Sequence, residues 1–305
     1  MPFPSQRRGV PSIHVVAAAL VLGGTLAAAP PPQRNADAAP GSERAAPMAP
    51  GNEDGTMDGA PAAGHDAARA ERASARTPTA SEAAVSADAA VLDPRDASTE
   101  AALKALSRFV IRSSHEDALR IAFRAYFSYR AANEDRVRKP YLFFVDLGLD
   151  NRTRRGYVFD MQKLELIDGP FTVSHGTGSS RSRNTVPTTF SNRPGSKASS
   201  LGLYLTQETY TFSGRSGGRA YTSVGLRMRG ESGAFNDAAR RRGIVSHGAP
   251  YVTANDAGRS EGCPAMEPHR ARTLLPLIAD GGVVFLYSPN DDRWLEHDPW
   301  VQADA

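Results

Sequence analysis

Gly258-Arg259-Ser260-Glu261-Gly262-Cys263-Pro264-Ala265, with Ser246-His247-Gly248 upstream of it, holds the single cysteine of a 305-residue chain and a histidine that the intervening loop can bring back to it. A thiol behind a turn of small residues, with an imidazole supplied by an earlier segment, is the basic equipment of a cysteine acyl-transfer enzyme. A free cysteine is also often no more than a small buried hydrophobe. Here glycine, serine, arginine and glutamate before Cys263, and proline after it, describe a loop that reaches solvent and not a core strand.

Working outward, the chain beyond Pro140 consists of short runs rich in β-branched and aromatic residues, separated by glycine, asparagine and proline turns. Strands are expected over Tyr141 to Leu147, Gly156 to Met161, Lys163 to Ser174, Leu201 to Tyr210, Tyr221 to Met228, Gly243 to Val252 and Gly282 to Tyr287, with helical pieces over Phe235 to Arg242 and Glu267 to Ala279. The pattern predicts a mainly antiparallel β-sandwich or open barrel with a few short helices, at 138–300, large enough for one core. A helical pair at 96–135 is expected to support it: Leu103, Leu106 and Val110 recur at helical spacing, Ser114-His115-Glu116-Asp117 resembles a capping box, and Leu119, Ala122, Phe123, Tyr126 and Phe127 mark an apolar face.

The amino-terminal region reads differently. Arg7 and Arg8 precede an apolar run from Ile13 to Ala29 that ends in small residues, so 1–29 is read as an export signal, with an uncleaved N-terminal membrane anchor as the alternative. Alanine, proline, glycine, serine and isolated charges dominate 30–95, which is too poor in large apolar residues to offset the entropy of ordering and is expected to be a disordered tether. Export places the chain in the periplasm or cell envelope. In an oxidising compartment a lone cysteine has no partner within its own chain, so Cys263 is an unpaired thiol there.

A formal charge of +3 is a modest excess, carried by scattered arginines such as Arg152, Arg154, Arg155 and the run Arg240-Arg241-Arg242, which reads as a solvated face. No helix-turn-helix, zinc-finger spacing or aromatic-basic stacking motif is present, so nucleic acid is not an expected partner.

The chemistry assigns roles to these residues. A thiol with an ordinary pKa of about 8.5 is only slightly ionised at neutral pH, so a nearby base raises the competent fraction. His247, at the end of a rigid strand, is the candidate base for Cys263. The amides of Gly262 and Cys263 are candidate oxyanion donors, and Pro264 has no amide hydrogen to add. Ser260 is expected to support this loop. Arg259, His175, Ser246 and Tyr251 are candidate substrate contacts.

On these residues the carboxy-terminal half resembles the murein L,D-transpeptidase catalytic domain family, of YkuD-type fold. Ser246-His247-Gly248-Ala249-Pro250-Tyr251-Val252 and Gly258 to Ala265 carry the likeness, with matching context in Val173-Ser174-His175-Gly176, Phe190-Ser191-Asn192 and Ser199 to Tyr204, over roughly 140–289. The resemblance implies a Cys263 nucleophile, a His247 base, no metal or organic cofactor, and peptidoglycan stem peptides as substrate and partner. It implies attack on the bond between the diamino acid and D-alanine of a tetrapeptide stem, then 3→3 cross-linking by an acceptor amine or L,D-carboxypeptidase action by water. The sequence leaves these two outcomes open. The family pattern has a second histidine two places before the cysteine. Here Glu261 stands there, and because a carboxylate facing a thiol disfavours the thiolate, Glu261 is expected to point to solvent.

Three other readings compete. A zinc hydrolase would draw on Cys263, His175, His247 or His269, but no pair has a zinc-motif spacing. A cysteine phosphatase needs an arginine closing the loop after the nucleophile, where Pro264 and Glu267 stand. A tethered, non-catalytic wall-binding module remains open, and a monomer is expected.

Overall fold

A computed structural model describes residues 93–302. The expected export signal or anchor at 1–29, and the tether at 30–95 except for its end, lie outside the described residues. At that end Asp93 already caps a helix, its carboxylate accepting from the Arg95 amide at 2.8 Å.

The helical pair forms as α1 (Pro94–Leu106) and α2 (Ala118–Ala132). The capping-box expectation fails. Asp117 is the N-cap of α2 without a side-chain bond, and Ser114 is drawn instead to buried Asp146, donating from its amide at 2.7 Å and its hydroxyl at 2.6 Å. A buried carboxylate needs donors more than a solvated helix end needs a cap. Helix α2 buries Leu119, Ala122, Phe123, Tyr126 and Tyr129, with Phe123 edge-on to Phe159 at 5.5 Å, while Phe127 is only partly covered.

The rest is a mainly β fold with short helices, as expected. Its strands are β1 (Tyr141–Asp146), β2 (Gly156–Asp160), β3 (Glu165–Phe171), β4 (His175–Gly176), β5 (Gly202–Ser216), β6 (Arg219–Gly230), β7 (Val245–Gly248), β8 (Arg259–Ser260), β9 (Ala265–Met266) and β10 (Val283–Tyr287). Helix α3 (Pro268–Ile278) separates β9 from β10, and α4 (Asp292–His297) follows β10. One sheet has the order β3-β2-β1-β10-β5-β6-β7-β9, and β4 pairs with β8 apart from it. Antiparallel pairing dominates, but β10 runs parallel to β1, and β9 runs parallel to β7. Strands β1 and β10 are continuous apolar runs, Tyr-Leu-Phe-Phe-Val and Val-Val-Phe-Leu-Tyr, as strands covered on both faces should be.

Three local expectations are corrected. Phe235 to Arg242 is not a helix but a 3-10 turn (Gly233–Phe235) followed by turns. Asn236 causes this: its side chain accepts from the Ser232 amide at 2.8 Å and donates to the Leu203 carbonyl at 2.9 Å, diverting local groups from a helical ladder. The strand expected over 243–252 shrinks to β7, because Pro250 has no amide to continue the pairing. The hairpin of β5 and β6 is longer than expected, pairing down to Ser216 and Arg219 around Gly217-Gly218, whose φ values of 55° and 79° suit a tight hairpin turn. That extension brings Phe212 and Arg215 to the candidate site, where Tyr221 of the expected strand also stands.

Candidate active site

Strand β7 is the platform. It pairs with β6 through Gly225 and His247, and with β9 through His247 and Ala265. Since Ala265 follows Cys263-Pro264, the register carries the cysteine to the end of the strand that holds the histidine. His247 and Cys263 line one open cleft of about 630 Å³, together with Phe212, Tyr221, Arg242 and Tyr251.

The His247 ring is nearly enclosed, at 3% exposure. Its Nδ1 lies 3.1 Å from the Gly248 carbonyl, which only accepts, so the proton sits on Nδ1 and Nε2 carries the lone pair. Phe212 stacks on the ring at 3.9 Å between centroids and 12° between planes. Withdrawal from water holds the imidazole down to about 4 from 6.5, against the favourable Gly248 bond. His247 is therefore a neutral acceptor at physiological pH.

The cysteine loop is fixed by hydroxyls. Ser260 Oγ donates to the Cys263 carbonyl at 2.7 Å and accepts from the Gly262 amide at 3.2 Å. Ser174 Oγ donates to the same carbonyl at 3.1 Å and accepts from the Ala265 amide at 3.0 Å. Gly262 has φ of 119°, and a Cβ there would come within 2.8 Å of the Ala198 carbonyl and of Ile244. The Cys263 sulfur is 3.9 Å from the Gly243 carbonyl. Burial pushes the thiol up to about 11, opposed by the Val245 amide and Arg242 and reinforced by Glu261. The resting pair is thus thiol and imidazole, not an ion pair.

The expected site residues separate into two groups. Arg259 and Tyr251 stand on the cleft wall, Arg259 donating to the Ser180 carbonyl at 3.1 Å. His175 and Ser246 do not, both being fully enclosed. Ser246 donates to the Pro264 carbonyl at 2.9 Å, a brace between β7 and the cysteine loop. His175 accepts at Nδ1 from buried Arg155 at 2.9 Å, and its Nε2–H meets Ser180 Oγ at 2.8 Å. Neither can touch a substrate in this arrangement. The Gly262 amide is also turned inward to Ser260, whereas the Cys263 amide has no protein acceptor among the described residues. Glu261 faces solvent as expected, 75% exposed and paired with Lys197 at 2.8 Å.

Phe212 and Arg242 are among the cleft residues that escaped the sequence. Phe212 read as an ordinary strand aromatic, beyond the expected end of its strand. Arg242 belonged to an arginine run taken for a solvated face, yet its guanidinium is half-buried and bonded to the Ser191 and Ala198 carbonyls at 2.7 and 2.6 Å. Nothing in composition distinguishes it from Arg240 or Arg241.

Residues 112–287 match the family model of the L,D-transpeptidase catalytic domain. The chain belongs to that family. The matched span begins earlier than the resemblance read from the motifs, and so takes in α2. No curated protein matches the chain. Among solved structures, it is similar to an L,D-transpeptidase from Mycobacterium smegmatis, at 12% identity and a TM-score of 0.31, over 49% of this chain and 59% of that one. An L,D-transpeptidase from Stackebrandtia nassauensis aligns at 13% identity and a TM-score of 0.32, over 65% and 94% of the two chains. The Enterococcus faecium L,D-transpeptidase C442S mutant aligns at 12% identity and a TM-score of 0.28, over 49% and 50%. The chain thus spans half to three-fifths of the M. smegmatis and E. faecium structures, and likenesses this distant assign no residue.

Proposed function

We propose that the protein is an exported, cysteine-dependent peptidoglycan acyltransferase that acts on tetrapeptide stems. The observation that carries this reading is the shared cleft of Cys263 and His247 within an L,D-transpeptidase catalytic domain. Cys263 Sγ attacks the carbonyl that joins the diamino acid to D-alanine, and its proton passes to His247 Nε2 as the carbon–sulfur bond forms. The Cys263 amide, free of a protein acceptor, donates to the oxyanion. Collapse breaks the carbon–nitrogen bond, the imidazolium returns the proton to the departing D-alanine amine, and a thioester remains.

An acceptor amine then attacks the thioester, His247 again takes the proton, and Cys263 leaves as a thiol, giving a 3→3 cross-link. Water in place of the amine gives the L,D-carboxypeptidase product. Two features support acyl transfer by a neutral pair: Gly248 fixes the imidazole tautomer, and Cys263 and His247 open onto one cleft of about 630 Å³. Phenol and arginine walls, with Glu261 neutralised by Lys197, suit a substrate bearing carboxylates. The protein acts as a monomer, in the periplasm or cell envelope, without a cofactor.

Purified sacculi incubated with the protein and analysed by mass spectrometry should show released D-alanine, with 3→3 dimers or tripeptide stems. Cys263→Ala and His247→Ala should each abolish both products while the variants stay folded and still bind sacculi. Unchanged tetrapeptide stems with folded wild-type protein would favour the non-catalytic wall-binding module.

A further inference from the structure

We propose that Arg242 is the built-in counter-ion of the Cys263 thiolate, a positive charge fixed in the cleft to meet the negative charge formed when the nucleophile loses its proton. The proposal rests on Cys263 being the nucleophile, and its test needs no peptidoglycan. Failure of the counter-ion idea and failure of the proposed substrate would therefore be seen separately.

Arg242 Nη1 donates to the Ser191 carbonyl at 2.7 Å and Ser200 Oγ at 3.2 Å, and Nη2 donates to the Ala198 carbonyl at 2.6 Å and Ser196 Oγ at 3.2 Å. Every one of these acceptors is neutral. Among the described residues no carboxylate lies within ion-pair distance of the guanidinium. A cation taken partly out of water without a counter-ion is unfavourable, and a charge fixed beside a reacting group stabilises negative charge that develops there.

The geometry leaves few candidates for that negative charge. Arg242 and Cys263 line the same cleft, and the residue after Arg242, Gly243, has its carbonyl 3.9 Å from the sulfur. The Ala198 carbonyl that accepts from the guanidinium also lies against Gly262, the residue before Cys263, where a Cβ would come within 2.8 Å of it, and Ser200, another acceptor of the guanidinium, is bonded to Tyr204. Tyr204 is enclosed, bonded to Ser200, and held above the ordinary phenol range by burial, so it stays neutral. The thiolate remains.

The other titratable groups facing the sulfur are Tyr204 and Tyr210 from β5, Tyr221 from β6, His247 from β7, Tyr251 from the next loop and Glu261 from its own. All four phenols are shifted upward, His247 is neutral above about 4, and Glu261 opposes the thiolate. The cleft's remaining arginines are Arg215, on the hairpin, and Arg259, which is bonded to Ser180. Of the three, Arg242 is the one clamped beside Gly262, through the Ala198 carbonyl that both approach, and its charge favours the thiolate.

The test is the rate at which iodoacetamide alkylates Cys263 in the full-length protein between pH 7 and pH 9, with mass spectrometry as readout and thermal unfolding as the check on folding. Below the thiol midpoint the rate follows the thiolate fraction, so raising the thiol by one unit slows alkylation about tenfold at every pH. Arg242→Gln, which removes the charge, should be slowed about tenfold. Arg242→Lys keeps the charge and loses the four-bond grip on 191–200, and should stay within about threefold of wild type even if its melting temperature falls. Equal slowing of both variants would overturn the proposal in favour of a purely structural clamp. A folded Arg242→Gln with wild-type rate would overturn it too. Should Arg242→Gln fail to fold, Arg242→Lys decides: a rate near wild type supports the counter-ion, and a tenfold loss refutes it.

Discussion

Mild acid should weaken this fold through a histidine that takes no part in the chemistry. His175 is completely buried, and burial first, then the nearby Arg155 and Arg259 charges, holds it down to about 3 from an ordinary 6.5, with Asp150 opposing. The contact explains the direction. Arg155 points a donor at Nδ1, so a protonated ring would set N–H against N–H beside a guanidinium. A histidine depressed in the folded state binds fewer protons there than in the unfolded chain. Its contribution is complete above pH 6.5 and is lost as pH falls toward 3.

Between pH 7 and pH 5 the unfolded chain gains about 2 kcal/mol from protonating this one imidazole, at about 1.4 kcal/mol per unit below its ordinary pKa. Against a total stability on the order of 5–15 kcal/mol, that is a large fraction. His247, held down to about 4, adds a loss in the same direction. Buried Asp146 and Asp298, both pushed up by burial, work in the opposite direction, so the overall pH curve mixes terms. The variant His175→Asn isolates one of them, since an amide can accept from Arg155 without titrating. Urea unfolding at pH 7, 6 and 5 should show the wild type losing about 2 kcal/mol more than His175→Asn across that range. Parallel stability curves for the two proteins would refute the reasoning.

Phe212→Ala removes the ring stacked on His247 and should lower turnover on sacculi about tenfold with little change in melting temperature, since an aromatic pair contributes about 1 kcal/mol beyond its area. Phe212→Tyr should preserve activity. Gly262→Ala forces a side chain into a left-handed backbone against the Ala198 carbonyl, and should destabilise the protein by about 2–3 kcal/mol in urea unfolding while disordering the loop that carries Cys263. Glu261→Gln removes the carboxylate that opposes the thiolate, and iodoacetamide should then react slightly faster, by less than about threefold, because the exposed group is screened. Its effect on stability should stay below about 1 kcal/mol, as for an exposed pair with Lys197.

The parts legible in the sequence were those fixed by local pattern. Short runs rich in β-branched and aromatic residues announced β1, β10 and the strands of the hairpin, and the motifs around His247 and Cys263 marked residues that share the cleft. What could not be read depended on partners distant in the chain. Ser114 looks like a cap until Asp146, buried at the end of β1, claims both its donors. Asn236 sits in a helical-looking run, but its amide is spent on Ser232 and Leu203. Arg242 is one of three consecutive arginines, and only tertiary contact with 191–200 turns it inward. His175 reads as a candidate substrate contact, whereas in β4 Arg155 and Ser180 occupy both its nitrogens.

The orienting group of His247 carries a mechanistic consequence. A carboxylate on Nδ1 would stabilise an imidazolium and favour a resting thiolate, but the Gly248 carbonyl is a neutral acceptor and leaves the ring depressed. With the thiol raised at the same time, proton transfer before substrate arrives is unfavourable, and in the proposed reaction the proton would leave sulfur as attack proceeds and charge builds on the oxyanion. On the proposed reading, the protein keeps Cys263 in the less oxidisable thiol form between turnovers. It then depends on charges placed within the cleft, not on the base alone, to make the thiolate accessible. That requirement is what the half-buried, carboxylate-free guanidinium of Arg242 fits.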